Sequence, residues 1–290
     1  MLLQGRYNHG TLIQVASQEG DFALNDFTFR GFGAFARVRV PAWVDLDRLK
    51  PWVAREVTGI EDGDEPADIE LTSDAHGHRV LLGARWFGPY RDPETSLRGV
   101  ASAIHYILGQ RSRMTFLHAG AVVLDGRALV FPGGGRYGKS VLVDRLVKEG
   151  CGYLSDEWGV LSPEGTVFPL SKPIRLRGPD GDHYTRPRGV SLPGGFPCAA
   201  LVLTRYRAGA HWDPRPVSPG QAIMRVLPCT LRGSVAPDET LQALVRVISN
   251  SLLVSTRRGD GEPMIRALDD LIRSSTDFQI DHPRPKEALK

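Results

Sequence analysis

Residues Gly133-Gly134-Gly135-Arg136-Tyr137-Gly138-Lys139-Ser140 match the pattern G-x-x-x-x-G-K-[ST] at every fixed position. The chemistry of that pattern is phosphate binding. Glycines let successive backbone N–H groups curl round an anion. Lys139 supplies a positive charge for the outer phosphates, and Ser140 offers a hydroxyl to Mg²⁺. The helix expected to follow adds the positive end of its dipole. Arg136 stands where many such loops carry glycine, so its guanidinium is a candidate phosphate contact. Tyr137 is a candidate shield for the site or a stacking surface for a base. The ligand this loop predicts is ATP with Mg²⁺.

A second constellation lies downstream. Asp156-Glu157 follow Lys139 by one helix and one turn, which returns the chain to the sheet beside the loop. Such a return places an acidic pair within reach of bound phosphates.

Elements must position these groups. Ala121 to Leu124 and Arg127 to Phe131 flank Asp125-Gly126, a hairpin signal, because both turn residues tolerate positive φ. The second strand runs directly into Pro132 and the glycines. Lys139 to Glu149 reads as a helix with Val141, Leu142, Leu146 and Val147 inward, stopped by Gly150. Two short strands flank Ser155-Asp156-Glu157, and Pro163-Glu164-Gly165 turns the chain between Val160-Leu161 and Val167-Phe168. Residues 178 to 197 read as a long Gly/Pro/Arg-rich surface loop, and Ala199 to Arg205 as a strand. Asp238 to Val254 and Glu262 to Ser274 read as helices. Upstream, Phe27 to Phe29, Phe35 to Val40, Asp68 to Leu71 and Arg79 to Leu82 read as strands. Val44 to Val57 and Ser96 to Gly109 read as helices, the first interrupted by Pro51.

The run Leu117-His118-Ala119-Gly120-Ala121-Val122, then the Gly126 turn, the phosphate loop, the helix ending at Gly150 and Tyr153-Leu154-Ser155-Asp156-Glu157 resembles HPr kinase/phosphorylase and its smaller relatives, lasso-peptide kinases among them. The resemblance covers roughly residues 115 to 176. It implies an α/β, phosphoenolpyruvate-carboxykinase/HPr-kinase-like P-loop fold. It implies ATP, Mg²⁺ and phosphoryl transfer to a serine hydroxyl of a small protein or peptide. Of the acidic pair it implies that one member binds Mg²⁺, with Ser140 and Asp156 as the metal-side candidates, and that the other is the catalytic base. The usual pair is Asp-Asp, so Glu157 departs by one methylene. His118 matches a family histidine near the phosphates. Ile174-Arg175-Leu176-Arg177-Gly178 is the nearest match to a later segment, with Arg175 where the family has an acid, which argues against the reverse reaction, phosphorolysis. Lys172, Arg175 and Arg177 are candidates for neutralising transferred phosphate. The resulting division is residues 1 to 113, an N-terminal α+β region of unknown role; 114 to 280, the kinase core; and 281 to 290, a flexible tail.

Composition narrows the alternatives. The 290 residues carry 36 basic and 33 acidic side chains, too balanced for a nucleic-acid partner. Cys151, Cys198 and Cys229 are odd in number and have no CxxC spacing, which argues against a disulfide framework or a structural zinc site. No apolar run reaches a membrane span, and Met1 to Asn8 lack a signal-peptide pattern, so the expected compartment is the cytoplasm. Homo-oligomerisation is left open. Two other readings remain: a nucleotide-binding regulatory module derived from a kinase, and a kinase for a small molecule.

Overall fold

A computed structural model describes residues 23–61, 65–187, 194–260 and 264–279. The expected tail from 281 onward, the N-terminal segment read for a signal peptide and residues 188 to 193 of the expected surface loop lie outside the described residues.

The chain is a mixed α/β structure. Its first part contains strands β1 (Leu24–Gly31) and β2 (Ala34–Pro41), a single helical turn α1 (Leu46–Leu49), strands β3 (Thr58–Glu61), β4 (Ile69–Asp74), β5 (Gly77–Leu82) and β6 (Arg85–Tyr90), and helix α2 (Pro93–Arg111). The strands form one sheet in the order β3-β1-β2-β4-β5-β6. Strand alternation sends Phe27, Phe29, Val38 and Val40 inward against Leu97, Val100, Ile104 and Leu108 of α2. Arg111 grips the carboxylate of Asp68 through both terminal nitrogens, at 2.7 and 2.5 Å, and so fixes the end of α2 to this sheet.

The second part holds β7 (Thr115–Leu124), β8 (Arg127–Pro132), α3 (Lys139–Lys148), β9 (Gly152–Ser155), β10 (Trp158–Leu161), β11 (Thr166–Phe168), β12 (Ile174–Gly178), β13 (Gly181–Thr185), β14 (Phe196–Tyr206), β15 (Arg215–Pro216), α4 (Pro219–Val226), α5 (Pro237–Ser249), β16 (Leu252–Arg258) and α6 (Met264–Gln279). Its main sheet runs β11-β10-β7-β8-β14-β16-β15, with β9 also on β7 and β11 closing onto β14. Successive residues of β8 serve opposite faces. Ala128 and Val130 pack toward Leu244, Val247 and Ile248 of α5, while Leu129 and Phe131 pack toward Leu142, Val143 and Leu146 of α3. The sheet is therefore a central layer between helices. The core under α2 itself joins the two parts, because Phe116, Val160, Leu170 and Leu231 belong to it.

Several expected elements differ. The helix over Val44 to Val57 shrinks to Leu46–Leu49, capped by Asp45; Pro51 and the turns around it prevent continuation. The helix expected to reach Val254 ends at Ser249, and Leu252–Arg258 become a strand parallel to β14. There Leu252 to Arg258, with the β-branched Val254 and Thr256, gains a ladder on β14. Part of the expected loop over 178 to 197 is the β12–β13 hairpin, paired from Ile174↔Thr185 to Gly178↔Gly181. In α3, Val143 rather than Val141 faces the sheet; Val141 is exposed. The Asp125-Gly126 turn has positive φ at both residues, 48° and 72°, as its type requires. No helix among the described residues is long and apolar enough to cross a membrane.

Candidate phosphate-binding active site

The loop Gly133 to Ser140 leaves the end of β8 and enters α3. Two features let it approach the sheet. Gly120 on β7 lies under α3, where an added Cβ would stand 2.7 Å from Val143 Cγ2, so only glycine lets the helix settle there. Gly138, at φ 77°, caps the helix in the left-handed region. Arg136 also lies in that region, at φ 66°. This is unusual for a side chain that is not glycine, and such local strain concentrates at functional sites.

The Lys139 ammonium is buried under the loop and donates to the carbonyls of Gly133 and Gly134, at 2.9 and 2.8 Å. Burial lowers its pKa to about 8, against the pull of Glu157 and Asp156. From the other side Arg258, at the end of β16, donates through Nη2 to Gly138 O at 2.5 Å and through Nη1 to Tyr137 O at 3.4 Å. Tyr206 N–H donates to the same Tyr137 carbonyl at 3.1 Å. The loop is thus braced from within by Lys139 and from outside by β14 and β16.

The acidic pair sits where β9 gives way to β10 along one edge of β7. Glu157 O accepts from Ala119 N–H at 3.0 Å, and one residue earlier His118 O accepts from Gly133 N–H at 3.2 Å. A single stretch of β7 therefore holds the start of the phosphate loop on one side and the carboxylates on the other.

The two carboxylates differ. Asp156 is buried and fully engaged: Oδ1 accepts from Tyr153 OH at 3.2 Å and from Lys172 Nζ at 3.3 Å, and Oδ2 accepts from Arg175 N–H at 3.2 Å. The Glu157 side chain keeps 38% of its exposure and pairs with Lys172 Nζ at 3.0 Å. Burial alone would raise the Glu157 pKa, but the charge and hydrogen bond of Lys172 hold it at about 2. Lys172 pays for its own burial with these two anions, and its pKa is raised above the usual lysine value.

These groups open on one cleft of about 450 Å³, lined by Lys139, Ser140 and Val141 from α3, Gly135, Arg136 and Gly138 from the loop, His118 from β7, the acidic pair, Lys172, Arg175 and Arg177. The N-terminal part supplies the opposite wall with Trp52, Arg98, Ala101, Ser102 and His105, joined by Tyr184 of the hairpin. Arg98 lies against both the Trp52 and Tyr184 rings, 5.1 and 4.7 Å from their centroids, and the two rings meet edge-on at 5.3 Å. Six cationic side chains thus face two carboxylates. Lys172 is paired with the carboxylates and Arg175 with Asp182. Arg136 and Arg177 have no ion-pair partner among the described residues, which leaves the cleft electropositive and suited to a polyanion.

His118 lies inside β7 rather than before it. Its ring packs 5.5 Å from Trp158, and burial followed by the charge of Lys139 lowers its pKa to about 4. It is therefore neutral near pH 7 and fits a hydrogen-bonding role better than that of a charged acid. His105 is likewise held at about 4, by burial first and then by Lys172. Its Nε2 accepts from Ala54 N–H at 3.0 Å, so it anchors the loop that carries Trp52.

The structure thus brings Lys139, Ser140, His118, Asp156 and Glu157 to one cleft. Gly133, Gly134 and Tyr137 line a separate cavity on the other side of the loop. Sequence reasoning missed Arg258, Tyr153, Arg98 and Trp52. Pairing of distant strands and packing against the first sheet bring Arg258, Arg98 and Trp52 to the site, and neither leaves a local signal; Tyr153 stands three residues before Asp156, but its bond to that carboxylate is set by the fold of β9. Cys151, Cys198 and Cys229 are free thiols.

For magnesium, the available donors are the Ser140 hydroxyl and carboxylate oxygen. These are hard ligands suited to an ion that keeps several waters and arrives with phosphates. Among the described residues no three His, Cys, Asp or Glu side chains gather to hold a metal by themselves. A scan against protein-family models and a search of curated proteins found no match to this sequence.

Proposed function

We propose that the chain is an ATP- and Mg²⁺-dependent phosphotransferase with the phosphoenolpyruvate-carboxykinase/HPr-kinase-like arrangement, and that its acceptor is a serine hydroxyl of a small protein or peptide. The observation that carries this reading is the shared cleft: the buried ammonium of Lys139, the first turn of α3 and the Asp156–Glu157 pair all open on the same 450 Å³ space. Phosphoryl transfer needs little covalent chemistry from a protein; it needs positioning and charge neutralisation.

The roles follow from the geometry. The backbone N–H groups of Gly135 to Ser140 and the dipole of α3 hold the phosphates. Lys139 exchanges its two carbonyl partners for phosphate oxygens. Arg136 and Arg177, which have no anionic partner among the described residues, spread the negative charge that develops on the transferred group. Asp156 fixes Lys172. Glu157, the more exposed carboxylate, orients the acceptor hydroxyl and receives its proton. Ser140 and a carboxylate of the pair would hold magnesium, which supplies Lewis-acid neutralisation of the phosphates. Residues before Arg113 act as the far wall of the cleft through Trp52, Arg98 and His105.

The test is mass spectrometry of serine-containing peptides and small proteins from neighbouring genes, incubated with the protein and ATP–Mg²⁺. Lys139→Ala and Asp156→Asn serve as controls. A phosphate gained on serine and lost in both controls is the expected result. ATP binding with no product from any peptide, protein or small hydroxyl compound would replace the kinase reading by that of a nucleotide-binding regulatory module.

A further inference from the structure

A second and larger cavity lies on the other side of the phosphate loop. It is an open cavity of about 1190 Å³, lined from the loop by Gly133, Gly134 and Tyr137, while Gly135, Arg136 and Gly138 of the same loop line the phosphate cleft. The remaining walls come from the ends of β14 and β16, the segment between β14 and β15, and α4. The charge on these walls is one-sided. Arg205, Arg207, Arg215, Arg225 and Arg257 line the chamber, with Asp213 the one carboxylate among its lining residues. Arg215 is paired with Asp213 at 2.7 Å. Arg225 donates to Ser255 Oγ at 3.0 Å, and Arg205 lies 5.1 Å from the Tyr137 ring centroid. The guanidinium groups of Arg207 and Arg257 have no hydrogen-bond or ion-pair partner among the described residues. Thr204, in the same wall, is buried with its hydroxyl unpartnered among the described residues.

Guanidinium groups gathered on one cavity repel one another, and the cost is recovered when an anion sits between them. Their fork geometry matches carboxylates in bidentate fashion. The nucleotide has a better place elsewhere, because Ser140 and Val141 of the first turn of α3 line the other cleft and not this chamber. The chamber also exceeds the roughly 300–1,000 Å³ usual for a small ligand, and a stretch of extended chain fills such a volume.

We infer that this arginine chamber docks an acidic segment of the peptide or protein acceptor, several aspartate or glutamate residues long, beside the loop that holds the phosphates. The consequence for catalysis rests on the phosphotransferase reading; the binding itself does not. A segment held there lies against the loop whose other residues, Gly135, Arg136 and Gly138, line the phosphate cleft. The docking site would therefore raise the local concentration of a hydroxyl near Glu157 without taking part in the chemistry.

The experiment measures fluorescence anisotropy of labelled octaglutamate on the full chain, with octalysine, octaglutamine and oligothymidylate as comparison probes. ATP affinity is measured in parallel. The variant is Arg207→Glu/Arg257→Glu, two exposed positions whose replacement leaves the core intact; a thermal melt checks this. The expected result is saturable binding of octaglutamate to the wild type. The double variant should weaken it by roughly tenfold or more, as loss of charge-assisted pairs requires, with ATP affinity unchanged. Octaglutamate binding that survives the double variant overturns the inference. So does a double variant that loses ATP instead, which would give the chamber to the nucleotide, or oligothymidylate that outcompetes octaglutamate. Lys139→Ala separates the two readings, because it should abolish ATP binding and leave octaglutamate binding in place. Wild type that binds octaglutamate but not ATP would defeat the phosphotransferase reading and leave the docking site standing.

Discussion

Lys172 Nζ lies 3.3 Å from Asp156 Oδ1, with the two side chains only 12% and 2% exposed. The same ammonium reaches Glu157 at 3.0 Å. One withdrawn cation therefore bridges two adjacent carboxylates, of which Asp156 is also held by Tyr153 OH and Arg175 N–H. Two adjacent carboxylates with no cation between them would drive one of them toward protonation.

Lys172→Met tests this directly. Removing one partner from a buried ion pair leaves the other charge uncompensated and costs about 3–5 kcal/mol, so denaturant unfolding should show a large loss of stability. Lys172→Arg should restore part of it. The pH dependence has a definite sign. Glu157 in the folded wild type titrates at about 2, below its ordinary value of 4.5. Its contribution to stability is present above pH 4.5 and is lost as pH falls through about 2. In Lys172→Met the Glu157 pKa rises, so the acid limb of the stability curve should begin at higher pH. An unchanged acid limb would show that Lys172 does not control the pair.

Much of this site is legible in the residue string, and the division has a physical cause. Gly133 to Ser140 is a local pattern, because a loop that curls round phosphate needs its glycines and its lysine close in sequence. The Asp125-Gly126 turn and the amphipathic α3 are local for the same reason. The inward face of α3 is only partly legible: Val143 packs over Gly120, and the approach of that helix to β7 is set by this glycine of a strand. Leu252 to Val254 reads as the end of a helix because apolar residues continue past Ser249. Pairing with β14, in the register Ala200↔Leu252, makes it a strand. Arg258 reaches the loop only through that pairing. Trp52 and Arg98 reach the cleft only because the first sheet shares a core with Phe116, Val160 and Leu170.

Arg136→Gly separates strain from binding. At φ 66° the side chain costs about 1–2 kcal/mol of backbone energy. Glycine gives back roughly 0.5–1 kcal/mol through its greater unfolded-state freedom. The net change in stability is then within about 1 kcal/mol, and the thermal melt should scarcely move. ATP affinity, measured by calorimetry, should fall because a guanidinium has left the cleft. Unchanged affinity with a higher melting temperature would assign Arg136 no part in phosphate binding.

Gly138→Ala is expected to be far more damaging than its size suggests. The residue lies at φ 77°, and an added Cβ would stand 2.8 Å from Arg258 Nη2 and 3.0 Å from Tyr206 Cβ. Arg258 cannot swing aside cheaply, since it is buried and bonded to the Gly138 carbonyl itself. The backbone term alone costs about 1–2 kcal/mol, and relief requires the loop to leave its brace on β16. ATP binding should be lost while far-ultraviolet circular dichroism stays native. Retained affinity would mean that Arg258 does not set the loop conformation.

The pH dependence of ATP affinity follows from Lys139. Its folded-state pKa is lowered from 10.5 to about 8, with burial as the first cause. For stability, a depressed pKa means that the unfolded chain binds the extra proton between pH 8 and 10.5, so this group's contribution rises with pH across that window. Binding reverses the sign. A triphosphate placed against the ammonium favours its charged form and lifts its pKa. Between about pH 8 and the raised value, binding then takes up a proton. Affinity should fall by up to about tenfold per pH unit above pH 8, and calorimetry at pH 9 in buffers of different ionisation enthalpy should report that uptake. Lys139→Arg, which stays charged throughout, should bind ATP with no such fall. A flat affinity profile in the wild type from pH 7 to pH 9.5, with no buffer dependence, would remove Lys139 from the phosphate contact.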